Sequence, residues 1–270
     1  MADTRASFEI WRRLVSARMR ADWQYRTSFF LFLAAQLVAS AADFGAIAVL
    51  FTRIHSLGGW SIGQVAFLYG ASGIAFGLAD LFISPVEYAS VHIRAGSFDQ
   101  FLTRPVGPLW QLCGSEFALR RIGRLLQPTV VLAIAMSRTH VDWTPARALL
   151  LPVSILAGAA IYGSIWVMTS SVSFWAVESQ EFAAAFTYGG STLTSYPVDV
   201  FGRWLRGLVT FALPLASVAY LPGALLFGKP RPFGLPSWVG WTGPLVALVW
   251  VLLARATWRT ALRHHRSTGS

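Results

Sequence analysis

The sequence is short of charge, has one cysteine, and carries a single lysine, Lys229, among its 22 basic residues. Only 13% of its 270 residues are charged, about half the share of an ordinary soluble domain. Hydrophobic residues make up 55% and mean hydropathy is +0.53, more apolar surface than a water-soluble core of this length needs. The same figures exclude disorder, which requires low hydrophobicity. Cys113, standing alone, excludes a disulfide scaffold and a cysteine-based zinc site. What remains is an all-α polytopic membrane protein.

The charge that is present is one-sided, with a formal net value of +10. Arginines gather beside apolar runs: Arg5, Arg12, Arg13, Arg18, Arg20 and Arg26; then Arg94, Arg104, Arg120, Arg121 and Arg124; then Arg255, Arg259, Arg263 and Arg266. Clusters flanking apolar segments are the mark of loops retained on the cytoplasmic side. A nucleic-acid-binding domain would instead show a basic stripe on a soluble fold. The expected partner is the lipid bilayer, not nucleic acid.

Residues 1–26 are polar, with Trp11, Val15, Met19 and Trp23 at four-residue spacing and Arg12, Arg13 and Arg20 pointing elsewhere. That pattern predicts an interfacial amphipathic helix on the cytoplasmic side. Spans are expected at about 28–51, 61–83, 119–137, 148–171 and 238–254, each long enough or nearly so for a bilayer. Gly73-x-x-x-Gly77 in the second span is a spacing that permits close helix approach. One further span falls in 174–196 or in 204–227, and charge asymmetry favours the latter because Arg203 and Arg206 would flank an inner end. Either choice gives six spans and both termini inside, with a cytoplasmic loop at 84–118 and a tail at 257–270.

Chemistry is sparse. Gly223 to Lys229 has the spacing of a phosphate-binding loop, but Pro230 stands where a Ser or Thr hydroxyl is needed, and no strand precedes it. His55, His92, His140, His264 and His265 show no metal-ligand spacing, and His264 and His265 are expected to be solvated or to face lipid headgroups in the tail. No serine-hydrolase elbow occurs. Asp43, Asp80, Glu178 and Glu181 lie at possible membrane depth, where a carboxylate is costly and a candidate for proton or cation handling. No basic partner shares their spans.

The loop Arg94-Ala-Gly96-Ser-Phe98-Asp99-Gln-Phe101-Leu102-Thr-Arg104-Pro105 is the most informative stretch. Gly96 ends one helix and Pro105 disfavours helix at Arg104. About two turns between them are expected to present Phe98, Phe101 and Leu102 on one side as a docking element for a soluble partner.

This stretch resembles the permease subunits of ABC-2-type exporters, in the branch with Arg-Pro at the loop's end. A second block supports the resemblance: Phe174-Trp175 with Glu178, Thr194-Ser195-Tyr196-Pro197, Arg203-Trp204-Leu205-Arg206, Pro214, Tyr220 and Pro222. The resemblance implies the transmembrane half of an ATP-driven exporter in the plasma membrane. Arg94, Gly96, Phe98, Asp99, Phe101, Leu102, Arg104 and Pro105 would form its coupling helix, seated on a separate cytoplasmic ABC ATPase. It also places the fifth span at 174–196 and a re-entrant outer hairpin at about 200–227. ATP and magnesium would belong to that partner, since the longest loop is too short for a nucleotide-binding domain. The permease would pair with a second copy or a related permease. Two other readings stay open: a proton-coupled secondary transporter using Asp43 and Asp80, and a non-transporting membrane scaffold.

Overall fold

A computed structural model describes residues 4–24, 26–104, 106–176 and 180–265. Among the described residues the chain is helical throughout, apart from connecting turns and one isolated bridge between Leu57 and Trp60. Four helices are long and apolar enough to cross a bilayer: α2 (Arg26–Phe51), α3 (Ile62–Phe82), α8 (Pro145–Ser171) and α12 (Gly243–His264). The others are α1 (Thr4–Gln24), α4 (Ala89–Arg94), α5 (Asp99–Leu102), α6 (Pro108–Ser115), α7 (Gly123–Arg138), α9 (Gln180–Thr194), α10 (Arg203–Gly207) and α11 (Tyr220–Leu226).

Helix boundaries follow local chemistry. The Ser61 backbone N–H donates to Gln64 Oε1 at 3.1 Å, closing the start of α3. At α8, Thr144 Oγ1 accepts from the Arg147 backbone N–H at 3.3 Å, and Pro145 occupies the first turn, where its missing N–H costs nothing. Hydroxyls inside α8 bond back to the helix's own carbonyls, Ser164 to Ala160, Thr169 to Ile165 and Ser171 to Val167. No water is needed to satisfy them.

The layout puts α3 and α8 at the centre. α3 packs along α7 and α8, α8 along α12, and α9 crosses both central helices. In its apolar window 67% of α3 is buried, against 6% of α2. α2 touches α7 along one side and turns Phe30, Phe32, Val38 and Val49 outward. Such faces are expected in lipid, where apolar exposure carries no cost and packing rather than water exclusion joins helices. The α3–α7 approach shows this packing directly. A Cβ added at Gly70, Gly73 or Gly77 would fall within 2.8 Å of Leu132, Pro128 or Leu125 of α7.

Several boundaries differ from the sequence expectations. α7 begins at Gly123, after a 3₁₀ turn at Leu119–Ile122 that carries Arg120 and Arg121, while Arg124 falls in the first turn of α7. α8 starts at Pro145, because Pro145 and Thr144 supply an N-terminus ahead of the apolar run. α12 starts at Gly243 and continues to His264, through the arginine-bearing segment expected to be tail. Its later arginines sit on good helix-forming ground, and nothing breaks the helix before His264. Of the two alternatives for a further span, 180–194 is one unbroken helix, whereas 203–226 is divided at Leu213-Pro214 into short pieces. Pro214 cannot continue a helical hydrogen-bond ladder.

Candidate functional site

The loop between α3 and α7 is built as a rigid knob. α4 ends at Arg94 and is closed two residues later by Gly96, whose φ of +65° lets the Ser97 and Phe98 N–H groups turn back onto the His92 carbonyl, at 3.0 and 3.2 Å. A left-handed residue closing a helix in this way is the natural place for glycine. Ser97 Oγ also meets His92 Nδ1 at 2.9 Å. α5 follows as a single turn rather than two. It is tied from behind by Gln111 of α6, whose Nε2 donates to the carbonyls of Phe101 (2.9 Å) and Val106. Gln111 is 1% exposed, and its buried amide nitrogen is spent on loop backbone.

The aromatic residues of this knob face inward, contrary to the sequence expectation. Phe98 is 1% exposed and Phe101 8%. Phe98 packs edge-on against Phe174 at 5.1 Å, and Phe174 in turn meets Trp258 of α12 at 5.5 Å. Phe98 and Phe101, three residues apart, share a helical face, and the end of α8 with α12 offers that face an apolar seat. Leu102, one residue further round, points outward at 44% exposure, together with Gln100, Thr103 and Arg104. Pro105 lies outside the described residues.

Asp99 is held by the far end of the chain. His265 Nε2 lies 2.8 Å from Asp99 Oδ1, and the imidazole stacks edge-on against Phe98 and Phe174. The His265 side chain is only 9% exposed, so it is not the solvated tail residue expected from sequence. Because α12 runs on to His264, it delivers His265 directly onto α5. Nothing in the local sequence of either segment announces that contact.

Where α3 meets the start of α7, a charge cluster closes the bundle end. Asp80 is fully buried, with Oδ1 3.1 Å from Arg121 Nη1 and Oδ2 2.9 Å from Arg124 Nη1. Arg121 Nη1 also donates to the Asp80 carbonyl at 3.1 Å, and Arg121 Nη2 lies 3.5 Å from Glu87. The basic partners missing from the span of Asp80 are therefore supplied by the 3₁₀ turn at Leu119–Ile122 and the first turn of α7, across the helix pair. Burial pushes the Glu87 carboxyl up from its ordinary value, partly opposed by Arg121. A carboxylate with each oxygen engaged by a guanidinium group is an arrangement suited to fixing helices. Of the other acidic candidates, Asp43 and Glu181 lie on α2 and α9 with side chains outside the described residues, and Glu178 is outside them altogether. Nearby, Cys113 is buried, its Sγ 3.8 Å from the Ile83 carbonyl oxygen, and burial pushes its thiol up to about 12.

Above this cluster a cavity of about 400 Å³ opens between α2, α3, α7 and α9. Tyr69, Ser72 and Phe76 of α3, Arg124 and Gln127 of α7, Tyr188, Ser191 and Thr192 of α9, and Ser195 just after it are among its lining. Tyr69 donates to Gln127 Oε1 at 3.2 Å, and the Arg124 guanidinium lies 5.7 Å from the centre of the Tyr188 ring.

The opposite end is pinned by a residue that sequence reasoning passed over. Asp199 Oδ2 accepts from Trp60 Nε1 at 3.0 Å and from Tyr220 OH at 2.6 Å. Arg206 Nη2 donates to the Asp199 carbonyl at 2.7 Å, and Lys229 Nζ to that of Gly59 at 2.7 Å. An acidic residue between two valines, with an arginine seven positions on, was the available signal.

No metal-ligating cluster occurs among the described residues. The chain matches no curated protein and no solved structure. Residues 37–269 match the family described as ABC-2 family transporter protein, which takes in the later part of α2, all of α3, α8 and α12, and the knob. The chain is a multi-pass membrane protein and belongs to the ABC-2 transporter family.

Proposed function

We propose that this chain is the permease subunit of an ATP-driven exporter, coupled through the 94–105 knob to a separate cytoplasmic ATPase that binds ATP and magnesium. The observation that carries this reading is the construction of the knob. A single helical turn is fastened from behind by Phe98, Phe101 and Gln111, leaving Gln100, Leu102, Thr103 and Arg104 on its outer surface. A load-transmitting contact needs a stiff base and an accessible tip, and this loop has both. No catalytic role is assigned to the chain itself.

In this reading the knob and both termini face the cytoplasm, in keeping with the arginine clusters around them. α7 with its preceding turn, and α9, serve as the third and fifth spans alongside the four long helices. At 16 and 15 residues they rise about 24 and 22 Å, short of a 30 Å hydrocarbon layer. Residues 200–227 form a re-entrant outer hairpin clamped by Asp199. Two permeases, identical or related, enclose the pathway, and the exposed face of α2 is available for that pairing. A push on the knob reaches α3 through α4. It also reaches α8 and α12, because Phe174 and His265 touch Phe98, His265 bonds Asp99, and Trp258 packs on Phe174.

The test is purification of the tagged chain from its native membrane in mild detergent. A stoichiometric subunit with nucleotide-binding motifs and ATPase activity is expected, and the Leu102→Asp/Arg104→Glu double variant should lose it while inserting normally. Co-purification unaffected by both substitutions, or transport driven by a proton gradient after ATP depletion, would contradict the reading.

A further inference from the structure

The cavity between α2, α3, α7 and α9 has a chemistry of its own. We propose that it binds an organic anion with an aromatic or apolar body, the acidic group on Arg124 and the body against Tyr69, Phe76 and Tyr188. This deepens the exporter reading, and its significance for transport rests on that reading.

Arg124 is the one formally charged side chain among the described residues of the wall. Its counter-ion lies behind it: Asp80 is fully buried, whereas a third of the Arg124 side chain is exposed. The guanidinium therefore stands between a buried carboxylate and the open cavity. A guanidinium carries five N–H donors and no acceptor, and its Nη1 bond to Asp80 leaves donors for a second acid. Arg121 also holds Asp80, so Arg124 can share itself with a ligand without leaving a buried charge unpaired. The hydroxyls of Ser191, Thr192 and Ser195 on the facing wall donate to backbone carbonyls of their own segment, which leaves the Arg124 guanidinium as the group that recognises the acid. The aromatic side of the cavity is equally defined, with Phe76 and Tyr188 in edge contact at 5.7 Å between centroids. At about 400 Å³ the space is within the range that accepts a small drug-sized molecule.

The test uses the purified permease in phosphatidylcholine nanodiscs, titrated calorimetrically with naphthylacetate and with naphthylmethylamine, which share a body and differ in the sign of the head. Empty nanodiscs give the blank. Naphthylacetate is expected to bind more tightly than the amine by roughly tenfold or more, the worth of one charge-assisted hydrogen bond. Thr192→Trp, a substitution at an exposed position that fills the cavity, should abolish binding. Arg124→Gln should weaken it by roughly tenfold and remove the preference for the acid. Should Arg124→Gln fail to fold, Thr192→Trp still decides the location. Equal or tighter binding of the amine would overturn the proposal, as would binding unaffected by Thr192→Trp. The permease is titrated alone, so these outcomes do not depend on recovery of an ATPase, whose absence would instead count against the exporter reading.

Discussion

Alanine substitutions along α3 should rank by what the new methyl group meets. At Gly70 an added Cβ would lie 2.7 Å from Leu132 Cβ, 2.8 Å from its backbone N and 2.9 Å from its Cα. Backbone cannot swing aside, so Gly70→Ala must push α7 away from α3 along their whole contact. Overpacking of this kind costs about 1–3 kcal/mol, and this site belongs at the upper end. At Gly77 the nearest atom, at 2.6 Å, is Leu125 Cδ2, the end of a flexible side chain that can rotate. Gly77→Ala should therefore cost about 1 kcal/mol or less, the bottom of the same range. Gly45 on α2 has nothing within 4 Å, so Gly45→Ala should be neutral or stabilising by up to about 1 kcal/mol, the helix-propensity gain. Thermal loss of the monodisperse peak on size-exclusion chromatography in detergent gives the order of Tm: Gly45→Ala highest, then Gly77→Ala, then Gly70→Ala. A Gly70→Ala protein as stable as Gly77→Ala would refute the close approach of α3 to the α7 backbone.

Other outcomes follow from the buried polar groups. Asp80→Asn strips the countercharge from two arginines and should cost about 3–5 kcal/mol, seen as loss of the folded fraction, with partial recovery in Asp80→Asn/Arg124→Gln. Native Cys113 should resist maleimide at pH 8, because burial both shields the thiol and pushes it up to about 12, while Leu102→Cys on the exposed tip should label fully. Glu87, raised by burial, takes up a proton more readily folded than unfolded, so its contribution to stability falls as pH rises from its ordinary 4.5 through the raised value. Glu87→Gln should remove that loss, and its Tm relative to the native protein should climb across the same window. His265→Ala should lower transport-coupled ATPase activity more than His265→Asn, which can still bond Asp99, with insertion unchanged in both.

Much of the fold was legible because membrane helices write themselves into composition. The apolar runs located α2, α3, α8 and the core of α12, and Gly96 marked the end of α4 through a conformation that glycine favours. Helix ends were less legible where polar residues continue a helix, as at the end of α12, because arginines are good helix formers and hydropathy alone cannot see past them. The site was legible as a segment but not as a geometry. Which face of α5 turns inward is set by Phe174, Trp258 and His265, all more than seventy residues away in sequence, so amphipathicity alone pointed Phe98 and Phe101 the wrong way. The Asp80–Arg121–Arg124 cluster was hidden for a similar reason, since its partners lie on consecutive elements assigned to different spans. Asp199 was missed because its partners, Trp60, Arg206 and Tyr220, come from three separate segments.

The central claim is that the tip of the knob seats on an ATPase. The direct measurement is cysteine cross-linking in the native membrane from Leu102→Cys, with the buried Cys113 as a silent background and Val200→Cys, at the other end of the bundle, as the comparison. The account predicts a covalent adduct between the ATPase subunit and position 102, none from position 200, and faster formation when ATP turnover is blocked. An adduct from position 200, or reaction of position 102 only with reagents supplied from outside the cell, would contradict it.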